Sequence, residues 1–283
     1  MSTEHTYVLA RVGRAGLGNE LFPFLRAHEY AQRNGAVLLP STWWKLRIGP
    51  YVRREADKRE YWRLFHSPSF RDRAHLLFVR LLRRRRLVTM EGMADKFSDL
   101  GCPGPWYRGV LEQAARTGVI SPPESRPGRY IAFHVRLGDF APPSADHTVH
   151  DRNNVSTPMG WYESVLLEIR KRDAEIPVLV SSDGGDHELN SLLAVAGVRR
   201  SQGANALDDM MVLADAAGIV GSRSTFSAWG AFLGATPLLV ALGGNAYTPH
   251  NDVFEGEDRL SEWWDTVSRH RSASSGTGSE AEV

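Results

Sequence analysis

The feature that most restricts what this chain can fold into lies at its start. Residues 7–12 are apolar apart from Arg11 and rich in strand formers, and they run straight into the turn Gly13-Arg14-Ala15-Gly16-Leu17-Gly18-Asn19. Leu21, Phe22, Leu25, His28 and Ala31 then recur at helical spacing, and Ala36-Val37-Leu38-Leu39 follows the helix-ending pair Asn34-Gly35. Strand, glycine turn, helix and second strand make a βαβ unit, which belongs to a parallel sheet with a right-handed crossover.

The alternation returns in the second half. Strand patterns at 130–135, 177–181, 217–220 and 237–240 alternate with helical patterns near 161–171, 187–196 and 208–215. A polar, proline-rich stretch, Pro122-Pro123-Glu124-Ser125-Arg126-Pro127-Gly128, separates the halves as linkers do. A chain of 283 residues is long enough for two cores or for one unusually large one, and two lobes are the default expectation. The expected organisation is therefore α/β throughout: one doubly wound domain at 1–120, a second at 130–271, and a disordered Ser, Gly, Thr and Glu tail at 272–283. Residues 43–63, rich in tryptophan, tyrosine and arginine without a period, read as an irregular segment over a surface or cleft.

Composition removes several function classes. A formal charge of +1 leaves no overall field to gather nucleic acid. The single cysteine, Cys102, rules out an internal disulfide and a multi-cysteine zinc site, and fits a reducing compartment. The polar first residues do not resemble a signal peptide and no charge-free apolar window of about 18 residues occurs, so a cytoplasmic protein is expected. One local charge feature stands out. Residues 70–87 have a helical pattern carrying Arg83-Arg84-Arg85-Arg86, either a solvated helix end that meets the dipole or a weak peripheral contact with anionic lipid or a charged acceptor.

Ligands of open parallel sheets sit beyond the C-terminal strand ends, so the residues following each strand carry the functional argument. Four places qualify. Gly16-Leu17-Gly18-Asn19-Glu20 is either a tight turn or a backbone approach to a ligand at a helix N-terminus. In His134-Val135-Arg136-Leu137-Gly138-Asp139, His134 alone reads as a core histidine, but the neighbouring Arg136 makes that costly and offers a diphosphate a bidentate fork. Ser181-Ser182-Asp183-Gly184-Gly185 suits a ribose or phosphate, or Asp183 or Asp186 caps a following helix. Asp208-Asp209 precedes the hydroxyl run Ser222 to Ser227, an anion cradle at a helix start; an aspartate here either caps the helix or pairs with the N1 and N2 hydrogens of guanine.

Taken in order, these blocks resemble the α-1,2-fucosyltransferase family and its wider relatives, the α-1,6- and protein O-fucosyltransferases. Gly16-Leu17-Gly18-Asn19-Glu20-Leu21-Phe22 is similar to that family's GLGNQLF, and His134-Val135-Arg136-Leu137-Gly138-Asp139-Phe140 to its HxRRGDY. Asp209 through Ser224-Thr225-Phe226-Ser227-Ala228-Trp229-Gly230-Ala231 is similar to its D…NSTFSWWGA block. The chain departs from the pattern at Glu20, Leu137, Arg223 and Ala228, where glutamine, a second arginine, asparagine and a tryptophan are usual.

The resemblance implies two Rossmann-like lobes of the GT-B type and inverting, metal-independent transfer of L-fucose from GDP-β-L-fucose to a glycan or small-molecule hydroxyl. It implies that Arg136 binds the β-phosphate, His134 contacts the nucleotide, Asp209 reads guanine, Ser224, Thr225, Phe226 and Ser227 hold phosphate, and Asn19 faces fucose and acceptor across the cleft. Glu20 is either the general base for the acceptor hydroxyl or a surface helix residue. The alternatives are a transferase of the same fold using another nucleotide sugar, and a sugar-nucleotide or glycan-binding protein of weak activity. No cofactor is implied.

Overall fold

The structure is a computed structural model of the 283-residue chain, and it describes residues 5–13, 15–43, 61–116, 128–138, 140–142, 155–243, 247, 249–250 and 252–276. The expected linker at 122–127, most of the aromatic segment at 43–63 and tail residues 277–283 lie outside the described residues. The chain divides into two compact units, one of Met1–Arg53 with Lys58–Gly118 and one of Arg54–Asp57 with Val119–Val283.

In the first unit β1 (Tyr7–Ala10), α1 (Leu17–Asn34) and β2 (Val37–Leu39) form the expected βαβ unit. The helix α1 stops where Gly35 adopts a left-handed φ of 58° and returns its N–H to the Ala31 carbonyl. It is followed by α2 (Phe70–Leu82), β3 (Leu87–Met90) and α3 (Gly104–Ala114). The sheet is parallel in the order β2-β1-β3, with Tyr7 opposite both Val37 and Leu87. The helical reading of 70–87 runs too far: Arg84–Arg86 make one 3-10 turn and Leu87 opens a strand. Ser69 and Asp72 start α2 with a capping box, the hydroxyl accepting from Asp72 N–H and the carboxylate from Ser69 N–H.

The second unit carries β4 (Ile131–Val135), α4 (Met159–Arg172), β5 (Val178–Ser182), α5 (Asn190–Leu193) and β6 (Val198–Arg200). It continues with α6 (Ala206–Ala214), β7 (Gly218–Gly221), α7 (Thr225–Gly234), β8 (Leu238–Val240), β9 (Val253–Glu255) and α8 (Leu260–Gly276). All six strands are parallel in the order β6-β5-β4-β7-β8-β9. This is the Rossmann order, and its direction reverses between β4 and β7. Burial follows the two-residue period of a strand. Ile131, Phe133 and Val135 pack with Tyr162, Val165 and Trp263 on one face, and Tyr130 and Ala132 with Leu213, Ile219 and Ala231 on the other. The pattern at 187–196 yields only the short α5, and α8 extends to Gly276, so the start of the expected disordered tail is helical. No helix among the described residues is long and apolar enough to cross a membrane.

Candidate functional site

In the second unit, chemistry collects where the strand order reverses. His134 is buried (5% exposed) on the penultimate residue of β4, directly opposite Gly221 of β7 and Ser181 of β5. Its Nδ1 lies 2.7 Å from Ser227 Oγ and 3.0 Å from Ser222 Oγ, and its ring stacks on Phe226 at 5.0 Å. Burial holds the imidazole down to about 4, opposed by the Asp183 charge and assisted by that of Arg136, so the ring is neutral near pH 7. In the tautomer whose Nδ1 accepts a serine hydroxyl, the proton resides on Nε2 and the ring offers an N–H donor. The main chain here is tied down as well, because Ser222 N–H and Tyr162 O–H both donate to the His134 carbonyl.

Arg136 follows β4 immediately. Its guanidinium meets Asp183 Oδ2 at 2.8 Å and lies 5.7 Å from the centre of the Phe140 ring. Asp183, just past β5, also accepts Leu137 N–H at 2.8 Å through Oδ1. Gly138 is required by this clamp, since a Cβ there would stand 2.5 Å from Asp183 Oδ2. Neither aspartate in this loop caps a helix: Asp186 pairs with Arg200, which also donates to the Ser182 and Gly184 carbonyls. Ser182 Oγ accepts Gly184 N–H.

The hydroxyl run opening α7 divides its labour. Ser224 is the N-cap and accepts Phe226 N–H, Ser227 engages His134, and Thr225 is buried in the first turn. The N-terminus of a ten-residue helix is thereby aimed at the strand ends that carry His134 and Arg136. Asp208 and Asp209 also diverge. Asp208 braces the Asn205 N-cap, accepting from its side-chain amide and from Ala204 N–H while donating its own N–H to Asn205 Oδ1, whereas Asp209 Oδ1 accepts from Ser201 Oγ at 2.8 Å and Ser181 Oγ at 3.4 Å. Burial pushes the Asp209 carboxyl up, against those hydroxyl bonds. Asp139 lies outside the described residues. Ser201 was missed by the motif reading, while Ser222 and Phe140 fell inside the quoted motifs without a role of their own.

In the first unit the corresponding reversal falls between β1 and β3. A cleft of about 430 Å3 opens there, lined by Arg11, Ala15, Asn19, Glu20 and Pro23 on one side and residues 91–93 on the other. Glu20 is no surface residue. It is 3% exposed, and its two carboxylate oxygens accept N–H bonds from Gly13, at 2.7 Å, and from Ala15. Gly13 has a φ of 94°, a conformation glycine alone adopts readily, so the turn and the carboxylate inside it are made for one another. Gly16 caps α1 without a side chain, a Cβ on it would meet nothing, and Gly18 is buried in the first turn. Leu17 N–H, a donor with no partner inside the helix, is taken by Tyr61 Oη at 2.9 Å. Asn19 is half-buried on the cleft wall. The opposite wall is held by Arg26, which donates to the Glu91 and Gly92 carbonyls.

The chain is similar to several solved structures. The fucosyltransferase NodZ from Bradyrhizobium is 18% identical, with a TM-score of 0.44 over 83% of this chain and 95% of that one. POFUT1 in complex with GDP is 10% identical, with a TM-score of 0.46 over 85% and 99%. The E. coli heptosyltransferase WaaC with ADP is 12% identical, with a TM-score of 0.48 over 93% and 99%. No curated protein matches the chain. The model of glycosyl transferase family 11 matches residues 111–263, more than half of the chain and all six strands of the larger sheet with its strand-end cluster. On that match the chain belongs to glycosyl transferase family 11, a fucosyltransferase family, and is a glycosyltransferase.

Proposed function

We propose that the protein transfers L-fucose from GDP-β-L-fucose to a hydroxyl of a glycan or small-molecule acceptor, with inversion and without a metal ion, in a GT-B fold. The observation that carries this reading is the convergence of Arg136, neutral His134 and the N-terminus of α7 at the strand-order reversal of a Rossmann sheet. A diphosphate suits that place, because the guanidinium fork and the dipole of the helix start both favour anionic oxygen. In the transfer step the acceptor oxygen bonds to the fucose anomeric carbon while the bond from that carbon to the β-phosphate oxygen breaks. Charge builds on the departing GDP, and Arg136 with the helix dipole stabilises it.

His134, fixed through Nδ1, contacts the nucleotide through Nε2–H. Asp209, whose Oδ1 carries both serine bonds, presents Oδ2 to guanine. Ser181 and Ser182 lie on the ribose side, at the end of β5. Ser224 and Ser227 act by shaping the helix start and fixing His134, and phosphate meets the first-turn backbone. In the first unit Asn19 and Glu20 line the cleft where the acceptor is expected. One observation favours a second reading, a different nucleotide sugar: Leu137, at the position of the family's second arginine, packs against the apolar core and so adds no charge to the site.

Calorimetric titration with GDP and UDP, with and without magnesium, tests the donor site. Metal-indifferent binding of GDP alone, lost in Arg136→Ala, is expected, together with acceptor-dependent release of GDP from GDP-fucose. A preference for UDP, or GDP binding that survives the substitution, defeats the reading.

A further inference from the structure

The helix α2 has two apolar faces. Leu76 and Val79 point inward and pack with Leu9 and Leu39, which fixes the helix on the three-stranded sheet. On the opposite side Phe70, Leu77, Phe78 and Leu81 fall at i, i+7, i+8 and i+11, one stripe along the outside. They are 86%, 57%, 46% and 70% exposed, and Leu82 beside them is 70% exposed. A monomer rarely presents such a continuous apolar strip to water without a use for it.

The charges around the stripe say what covers it. Arg71, Arg73 and Arg80 flank it, and arginines 83–86 follow at its C-terminal end. The acidic residue of this segment, Asp72, is committed to capping the helix through Ser69. The whole chain has a formal charge of +1, so this local excess of positive charge is matched by a net acidic remainder. At the helix end Leu81, Leu82 and arginines 83–86 line an open hollow of about 680 Å3 with no acidic group among the described residues of its wall. A second copy of the chain does not suit this face, since a two-fold contact would set the same arginines against each other.

We infer that α2 docks the protein on an anionic lipid surface, lying in the membrane plane with Phe70, Leu77, Phe78 and Leu81 among the upper acyl chains and arginines 83–85 against headgroup phosphates. A helix of 13 residues lies flat along about 20 Å of interface and does not span it. Apolar burial and attraction to acidic headgroups add, and both elements are already exposed on a helix held by its other face, so docking needs no unfolding.

Co-sedimentation of the full chain with phosphatidylcholine vesicles, with and without phosphatidylglycerol, tests this. Binding is expected only with phosphatidylglycerol, weakening as salt rises. Arg84→Gln with Arg85→Gln should weaken it roughly 25-fold, at about five-fold per arginine. Leu77→Ser with Leu81→Ser should also weaken it at low salt, because the stripe enters the bilayer; all four positions are solvent-facing, so thermal stability and GDP titration should be unchanged. Absence of binding, equal binding to phosphatidylcholine alone, or indifference to the leucine substitutions overturns the inference. So does a lipid-free dimer that Leu81→Ser disperses, or retention on immobilised polyglutamate without vesicle binding.

Discussion

Asp183 holds Arg136 from two directions: Oδ2 pairs with the guanidinium at 2.8 Å while Oδ1 accepts the N–H of the next residue, Leu137. The arginine is thus fixed through its side chain and its backbone by one carboxylate. Asp183→Ala removes both ties and also a negative charge near the proposed diphosphate. GDP should then bind as well as before or better, while kcat falls roughly 100-fold, the scale of a slightly misplaced catalytic group. Asp183→Asn, which keeps an acceptor for Leu137 N–H, should recover part of that loss. Parallel losses in GDP affinity and kcat would show that Asp183 does not act by orienting Arg136.

Acid should destabilise the fold in a definite window. Burial holds His28 and His134 to about 4, against an ordinary value of 6.5. Between those values the unfolded chain binds protons that the folded chain refuses, so stability is complete above about pH 6.5 and falls as pH drops towards 4. Fully buried His134 contributes up to about 3 kcal/mol of that fall. Urea unfolding followed from about pH 7.5 to about pH 4.5 should show the slope, and His134→Gln should flatten it. A flat profile in the parent protein contradicts the assignment.

Glu20 is placed to hold the turn after β1. Glu20→Ala leaves the Gly13 and Ala15 N–H groups without their acceptor and should cost about 2–4 kcal/mol, with Glu20→Gln costing about half of that. Under conditions where the glutamine variant remains folded, its kcat should stay within about ten-fold of the parent, below the roughly 100-fold that marks the lower end of what loss of a general base produces. A loss of about a thousand-fold without a stability change would instead make Glu20 the base.

The strands legible in the sequence are those whose apolar runs end abruptly in small or polar residues, as Phe133-His134-Val135-Arg136 does. Three that were not, β3, β6 and β9, are sheet edges. Val198-Arg199-Arg200 and Val253-Phe254-Glu255 carry charges because one side of an edge strand faces water, so no apolar run marks them. At the site the motif residues could be named but their partners could not. Ser224 and Ser227 look alike in sequence, yet one caps a helix and the other grips a histidine 93 positions away. Asp208 and Asp209 look like a pair, and helical geometry turns them to different partners. Such assignments depend on long-range approach, which local patterning does not encode.

Asp209 supplies the sharpest test of base recognition. Its carboxyl is pushed up by burial, the Ser181 and Ser201 hydroxyls partly offset that, and both bonds fall on Oδ1. An anionic Oδ2 facing guanine gains charge-assisted bonds that a protonated carboxyl does not. GDP affinity should therefore fall as pH drops into the raised carboxylate range, with GDP binding itself favouring the ionised form and so releasing a proton there. Asp209→Asn should remove that pH dependence and weaken GDP roughly 30-fold, the value of one hydrogen bond to a charged group at about 2 kcal/mol. ADP, which lacks the guanine N1–H and amino pattern, should be affected little, so the ratio of GDP to ADP affinity should collapse in the variant. Equal weakening of both nucleotides would mean that Asp209 only supports the loop around Ser201, and guanine would then have to be read elsewhere.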